Sequence, residues 1–150
     1  EPAALMRVAV LNGPNLNLLG QREPEVYGRA SLAELEQQVR VEAAALGVTL
    51  TWFQTNHEGA FVEAVQGLQG TAEGALVNAA AFTHTSLAIR DAFLAVRVPF
   101  VEVHLSNIFA REPERRHSRL ADLAVGVIAG FGPAGYRLAL NALVAKLRAG

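Results

Sequence analysis

The sequence contains no cysteine, and this absence excludes several kinds of chemistry. Disulfide bonds, thiolate nucleophiles and thiolate-bound metal sites all require that residue. Charge of either sign is also sparse, because 13 basic residues stand against 14 acidic ones and charged residues make up only 18% of the chain. A chain with so little net charge has no field that attracts nucleic acid or an anionic membrane surface. We therefore expect neither as a partner.

Long apolar runs are missing as well. No run approaches the ~20 residues that cross a bilayer, and the first residues, EPAALMR, lack the pattern of a secretory signal. The expected location is therefore cytoplasmic. Hydrophobic residues still make up 51% of the 150 residues, which is enough for the core of one domain spanning residues 1–150. The low charge favours an oligomer with buried faces.

Short apolar runs alternate with segments of helical period along the chain. The predicted strands are 8–11, 48–54, 75–78, 99–104 and 125–129, and the predicted helices are 31–46, 58–68, 83–96 and 132–148. A capping box of Ser31 and Glu34 opens the first helix, and Gly47 ends it. This alternation predicts an α/β protein with a parallel sheet covered by helices on both faces. At this size we expect a flavodoxin-like sandwich with five strands in the order 2-1-3-4-5.

Polar residues collect where the predicted strands end, which is where parallel sheets bind ligands. They are Asn12, Asn15, Arg22 and Tyr27 after the first strand, Asn78 and His84 after the third, and Glu102, His104, Ser106, Arg111 and Arg115 around the end of the fourth. The loop 12–29 is also far longer than the ~2–6 residues that such a connection needs. We interpret it as an active-site loop whose second part, residues 20–29, is a lid that carries Arg22 and Tyr27.

Each of these residues also has a purely structural interpretation. Asparagines in a loop rich in glycine and proline often form turns with their own backbone. Thr83 or Thr85 could be the N-cap of the helix that follows, and His84 could be a surface residue. The arginines of 111–116 could form a solvated charged segment. For His104 a functional role is favoured over a structural one, because Glu102 lies two residues earlier on the same strand face and could orient its imidazole.

The spacing of the remaining candidates excludes several chemistries. The histidines and carboxylates make an incomplete metal site, and the glycines fit neither a Walker nor a dinucleotide-binding loop. No serine elbow is present. Acid–base chemistry on a small anion remains, without cofactor or metal. A tyrosine base near pH 7 needs its phenolate favoured by about 4 kcal/mol, which a nearby guanidinium such as Arg22 could largely supply. Histidine serves as a general acid without such tuning.

The polar stretches together resemble one family, the type II 3-dehydroquinate dehydratases of the shikimate pathway of aromatic amino acid biosynthesis. The matching motifs are Asn12-Gly-Pro-Asn-Leu-Asn, Arg22-Glu-Pro, Tyr27-Gly, Asn78-Ala, Thr83-His-Thr-Ser, Glu102-Val-His-Leu-Ser-Asn, Arg111 and Arg115-Arg-His-Ser. They occur in the family's order over residues 7–147. One departure is visible, because Ala80 stands where family members commonly carry glycine. Alanine is mildly strained if that backbone needs a positive φ.

The resemblance implies a lyase that removes water from 3-dehydroquinate by anti elimination through an enolate. It implies Tyr27 as the base at C2, Arg22 as the group that favours its phenolate, and Asn15 as the residue that stabilises the enolate through water. His104 would protonate the departing hydroxyl at C1, with Glu102 as its orienting partner. The implied substrate-binding residues are Asn78, His84, Leu105, Ser106 and Arg115, with Asp91 reaching the site of a neighbouring subunit. The implied assembly is a dodecamer of four trimers.

Two other functions use the same residues. A non-catalytic module that binds flavin or another small ligand would leave Tyr27 inert, and it does not explain why tyrosine, arginine and histidine gather at strand ends. A lyase or isomerase for another cyclic polyol acid would employ the same groups, and only substrate profiling separates it from the dehydratase.

Overall fold

The computed structural model describes residues 5–21, 23–27 and 29–150, and of Tyr27 it describes the backbone alone. The predicted role of Arg22 and the side-chain role of Tyr27 therefore lie outside the described residues. The strands are β1 Met6–Asn12, β2 Val48–Gln54, β3 Gly74–Asn78, β4 Phe100–His104 and β5 Gly126–Ala129. The helices are α1 Pro24–Tyr27, α2 Leu32–Leu46, α3 Glu58–Gln66, α4 Phe82–Thr85, α5 Leu87–Val96 and α6 Ala134–Arg148, with short 3-10 turns at Leu16–Leu18, Ile108–Ala110 and Pro113–Arg115.

The five strands form one sheet in the order β2-β1-β3-β4-β5, and every neighbouring pair is parallel. The predicted order is therefore confirmed. Buried side chains of α2 and α6 pack on one face of the sheet, and those of α3 and α5 pack on the other. Within the described residues, no helix has both the length and the apolar character needed to cross a membrane.

The ends of α2 follow the sequence signals. The Ser31 hydroxyl accepts a hydrogen bond from the Glu34 backbone N–H at 3.1 Å, which satisfies one of the free donors of the first turn. Gly47 ends the helix with φ 71°, a left-handed conformation that glycine adopts without steric cost. β2 has the predicted bounds.

The prediction of one helix over 83–96 is wrong. The segment forms two helices, α4 and α5, separated at Ser86, whose φ of −90° and ψ of 101° are not helical. The Ser86 hydroxyl caps α5 by accepting from the Ile89 N–H at 2.9 Å. The N-cap of α5 is therefore Ser86, and neither Thr83 nor Thr85. The apolar period continues across the break, so the sequence pattern conceals it.

Gly13 brings the loops after β1 and β3 together. Its N–H donates to the Asn78 carbonyl at 2.8 Å, and a Cβ at this position would lie only 2.3 Å from the Ala79 carbonyl oxygen. Only glycine allows this approach without a backbone shift. The close contact joins two of the strand ends from which a site would be built.

Candidate active site

A cleft with a cavity volume of about 100 Å³, partly open to solvent, lies at the carboxyl ends of β1, β3 and β4. It is lined by Pro14, Asn15, Leu16, Leu19, Asn78, Ala80, Ala81, His84, His104, Leu105, Ser106, Ile108, Arg111 and Arg115. Seven residues predicted from the sequence are thus brought to one cavity: Asn15, Asn78, His84, His104, Leu105, Ser106 and Arg115. Glu102 lies behind His104, and Asp91 is on the exposed surface of α5 outside this lining.

His104 and Glu102 form a buried pair at the end of β4. They lie on the same face of the strand, with 4% and 0% of their surface exposed, and Nε2 of His104 is 2.5 Å from Oε2 of Glu102. Because an ionised carboxylate only accepts hydrogen bonds, Nε2 carries the proton of this bond. Nδ1 is therefore the ring nitrogen left for a ligand. The Ser118 hydroxyl donates to the other carboxylate oxygen, Oε1, at 2.8 Å.

His84 lies over His104 in the same cleft. The two rings are stacked with centroids 6.4 Å apart, and Nδ1 of His84 is 2.8 Å from the His117 carbonyl oxygen. A carbonyl accepts only, so Nδ1 is the donor in this bond. Burial lowers the pKa of His84, the His104 and Arg115 charges lower it further, and the bond to His117 opposes them. His84 is then neutral near pH 7, with Nε2 free to accept.

Backbone and side-chain hydrogen bonds fix the first wall of the cleft. Asn15 has a left-handed backbone with φ 69°, and its N–H donates to Oδ1 of Asn56 at 2.9 Å. The Gln54 amide donates to the Gly13 carbonyl at 3.1 Å and to Asn56 at 3.2 Å. The apolar side chains of Leu16 and Leu19 are buried below this turn. Residues 12–19 are therefore held against the end of β2.

A buried network joins Asn12, Asn78 and Tyr136 beneath the cleft. The Tyr136 hydroxyl donates to Oδ1 of Asn12 at 2.6 Å and accepts from Nδ2 of Asn78 at 3.0 Å. Asn12 also donates to the Phe53 carbonyl, and Oδ1 of Asn78 accepts from the Ala80 N–H. Asn12 is fully buried and has a structural role. Burial raises the pKa of Tyr136 far above its usual range, so its phenol stays protonated.

Two arginines form the cationic wall. Arg111 and Arg115 both line the cleft, and Nε of Arg115 is 2.9 Å from a carboxylate oxygen of Glu112. Arg111 lies within 3.5 Å of the Ser106 hydroxyl. Arg116 is exposed and its guanidinium donates to the Arg111 carbonyl at 2.6 Å. The prediction of a solvated charged segment therefore holds for Arg116. Arg111 and Arg115 instead place their positive charge at the wall of the cleft.

The sequence reasoning missed three features of the site. It placed Arg111 at the strand ends without giving it a role, it did not identify the apolar floor formed by Leu16, Leu19 and Ile108, and it did not assign Ser118 to Glu102. The closely spaced leucines in a polar loop were the available signal for the floor. Among the described residues no group of three or more histidine, aspartate and glutamate side chains could hold a metal ion.

The fold and this cleft define an α/β protein with paired acid–base and cationic groups at the carboxyl edge of its sheet. The family model for class II dehydroquinases matches residues 6–144. The 3-dehydroquinate dehydratase of Parasynechococcus marenigrum is 57% identical over 143 residues, which are 95% of this chain and 98% of the relative. The catabolic 3-dehydroquinase 1 of Neosartorya fischeri is 51% identical over 134 residues, 89% of each chain.

A solved structure agrees with these relatives. The type II dehydroquinase of Propionibacterium acnes superposes with a TM-score of 0.89 at 37% identity, over 95% of this chain and 99% of that one. The chain belongs to the class II dehydroquinase family.

Proposed function

We propose that this protein removes water from 3-dehydroquinate to give 3-dehydroshikimate through an enolate, with Tyr27 as the base and His104 as the general acid. The observation that carries the proposal is the buried His104–Glu102 pair, which presents Nδ1 of His104 to a cleft walled by arginine. A general acid must lie within hydrogen-bond reach of the departing group, and a single free ring nitrogen at a cavity meets that need.

The choice of base follows partly by exclusion. The chain has two tyrosines. The Tyr136 hydroxyl is committed to Asn12, and burial holds its pKa too high for a base. If the base is a tyrosine, it is Tyr27. We propose that Arg22, five residues earlier in the sequence, favours the Tyr27 phenolate by its charge.

In the proposed reaction the Tyr27 phenolate removes a proton from C2, and the electron pair moves to the C3 carbonyl oxygen to form the enolate. Asn15, at the rim of the cleft, stabilises that oxygen through water. The enolate then re-forms the carbonyl, a double bond forms between C1 and C2, and the C1 hydroxyl leaves with the proton from Nδ1 of His104, whose acid form carries a proton on each ring nitrogen. One proton is taken and one is given, so water is the only other product.

The cationic wall suits the substrate carboxylate. Arg115 would contact that carboxylate, while the Leu105 backbone and the Ser106 hydroxyl would bind it from the end of β4. The neutral His84, with Nε2 free to accept, and the Asn78 amide would bind ring hydroxyls. Closure of the 20–29 lid would exclude water and bring Tyr27 to C2 at the same time.

We propose further that the subunits assemble as a dodecamer, in which Asp91 reaches a neighbouring site. Apolar side chains support an assembly, because Val125, Val127 and Phe131 are each more than a third exposed near the edge strand β5. Light scattering should give twelve times the subunit mass of 16.0 kDa. A monomer mass at working concentration would overturn this part of the proposal.

The activity is tested by mixing the protein with 3-dehydroquinate and following the ultraviolet absorbance of the conjugated enone product. We expect product with and without a chelator, and sensitivity to the chelator would contradict a reaction that needs no metal. Tyr27→Phe should lose turnover by at least about 100-fold, the lower range of general acid–base catalysis, while calorimetry still detects ligand binding. Absence of product with the unaltered protein would refute the assignment, and retained turnover in Tyr27→Phe would remove Tyr27 as the base.

A further inference from the structure

Ser118 lies in the connection between β4 and β5, 16 residues after Glu102 in the chain, and its hydroxyl is the second hydrogen-bond partner of the Glu102 carboxylate. The donor–acceptor distance is 2.8 Å, and the Glu102 side chain is fully buried. A buried carboxylate that loses a hydrogen-bond donor is left with an uncompensated desolvation cost. Ser118 therefore contacts a group that the proposed mechanism depends on.

The proton of the Ser118 hydroxyl has a definite direction. Oγ accepts from the Leu120 N–H at 3.1 Å and from the Ala121 N–H at 3.0 Å. A serine hydroxyl has two acceptor sites and one donor. With both acceptor sites filled by backbone amides, the proton is left for Oε1 of Glu102. The turn at 118–121 thus makes Ser118 an obligatory donor to the carboxylate.

Within the described part of the chain, each Glu102 oxygen accepts one hydrogen bond. Oε1 accepts from Ser118, and Oε2 accepts from Nε2 of His104 at 2.5 Å. A donor fixed to Oε1 keeps the carboxylate from rotating about its Cγ–Cδ bond, so Oε2 stays aimed at Nε2 of His104. With Nε2 held as the donor to Oε2, Nδ1 is the ring nitrogen left at the cleft.

We propose that Ser118 is a positioning residue for the general acid, which acts through Glu102 to fix the orientation and tautomer of His104. The catalytic consequence rests on the proposed function, in which Nδ1 of His104 protonates the departing hydroxyl. Ser118 is not among the residues that line the cleft, so we expect its loss to weaken the elimination step and not substrate binding.

The test compares Ser118→Ala, which has no hydroxyl, with Ser118→Thr, which keeps it. We expect Ser118→Ala to lower kcat by about 10- to 100-fold, the range that holds for orienting partners of metal-ligating histidines, with KM changed less than about twofold because the lost interaction acts in the transition state. Ser118→Thr should restore most of kcat. Ser86→Ala is the matched control, because Ser86 is a buried serine that only caps a helix.

A second readout does not depend on turnover. At a pH where the His104 ring is neutral, ¹⁵N NMR of the unaltered protein should show one tautomer with the proton on Nε2, the form left once Nδ1 has given up its proton, and Ser118→Ala should show a mixture. Equal kcat in Ser118→Ala and the Ser86→Ala control, or an unchanged His104 tautomer, would overturn the positioning role. A changed tautomer in a protein that never converts 3-dehydroquinate would support the positioning role and refute the proposed function instead.

Discussion

Replacing Tyr136 by phenylalanine removes one oxygen atom from the buried network that joins the ends of β1 and β3. The ring itself remains, so its packing against Trp52, with centroids 5.9 Å apart, is kept. The lost hydroxyl is the donor to Asn12 and the acceptor from Asn78. These three side chains are 1%, 0% and 3% exposed, so bulk water does not replace the missing atom.

The expected loss of stability is worked from these two bonds. Each buried polar group left without its partner costs about 1–3 kcal/mol. The bonds that both amides keep use their other atoms, from Nδ2 of Asn12 to the Phe53 carbonyl and from the Ala80 N–H to Oδ1 of Asn78, so Oδ1 of Asn12 and Nδ2 of Asn78 each lose the hydroxyl partner. We therefore expect the free energy of unfolding to fall by about 2–6 kcal/mol, a large part of the ~5–15 kcal/mol of an ordinary domain.

The assay is urea unfolding at a fixed protomer concentration, since assembly makes stability depend on concentration. Tyr136→Phe should shift the midpoint without changing the slope. Thr71→Val is the control, because the exposed Thr71 hydroxyl donates only to the Gly67 carbonyl and should contribute less than about 0.5 kcal/mol. A loss for Tyr136→Phe no larger than that of the control would refute the reasoning.

Three further predictions concern the same strand ends. Gly13→Ala places a Cβ 2.3 Å from the Ala79 carbonyl oxygen, so we expect a loss of about 1–3 kcal/mol in urea unfolding, and an unchanged midpoint would contradict the close approach. Ala80 has a φ of 52°, and Ala80→Gly should raise the free energy of unfolding by about 0.5 kcal/mol, because the steric penalty of a left-handed alanine exceeds the conformational entropy that glycine loses on folding. A clear fall in the free energy of unfolding would show that the packing of the Ala80 methyl group outweighs this strain. The pKa of His84 is lowered in the folded chain, so the unfolded chain binds its proton first as pH falls below ~6.5, and stability falls there. The urea midpoint should therefore drop more between pH 7 and pH 5 in the unaltered protein than in His84→Gln, and equal drops would contradict that cause.

The sheet and its order could be predicted because each strand is a short apolar run between helices of clear period. The break at Ser86 could not, because Leu87 and its neighbours continue the apolar pattern of the helix before it. The structure also shows a left-handed backbone at Ala80, the conformation that the glycine of related sequences suggested.

The polar cluster at the strand ends followed from topology, since β1, β3 and β4 end at one edge. The hydrogen-bond partners that lie beneath this cluster could not be predicted from topology. Tyr136 bonds Asn12 across 124 residues, and Ser118 bonds Glu102 across 16. Such pairs depend on where a helix or loop settles in three dimensions, and neither periodicity nor spacing encodes that position.

The central claim is that two separate groups act in sequence, Tyr27 at C2 and His104 at the C1 hydroxyl. It is tested most directly by incubating 3-dehydroquinate in D₂O with Tyr27→Phe or His104→Gln and following deuterium at C2 by NMR. The account predicts that His104→Gln still exchanges the C2 proton while forming almost no product, and that Tyr27→Phe does neither. Exchange in Tyr27→Phe, or its absence in His104→Gln, would contradict it.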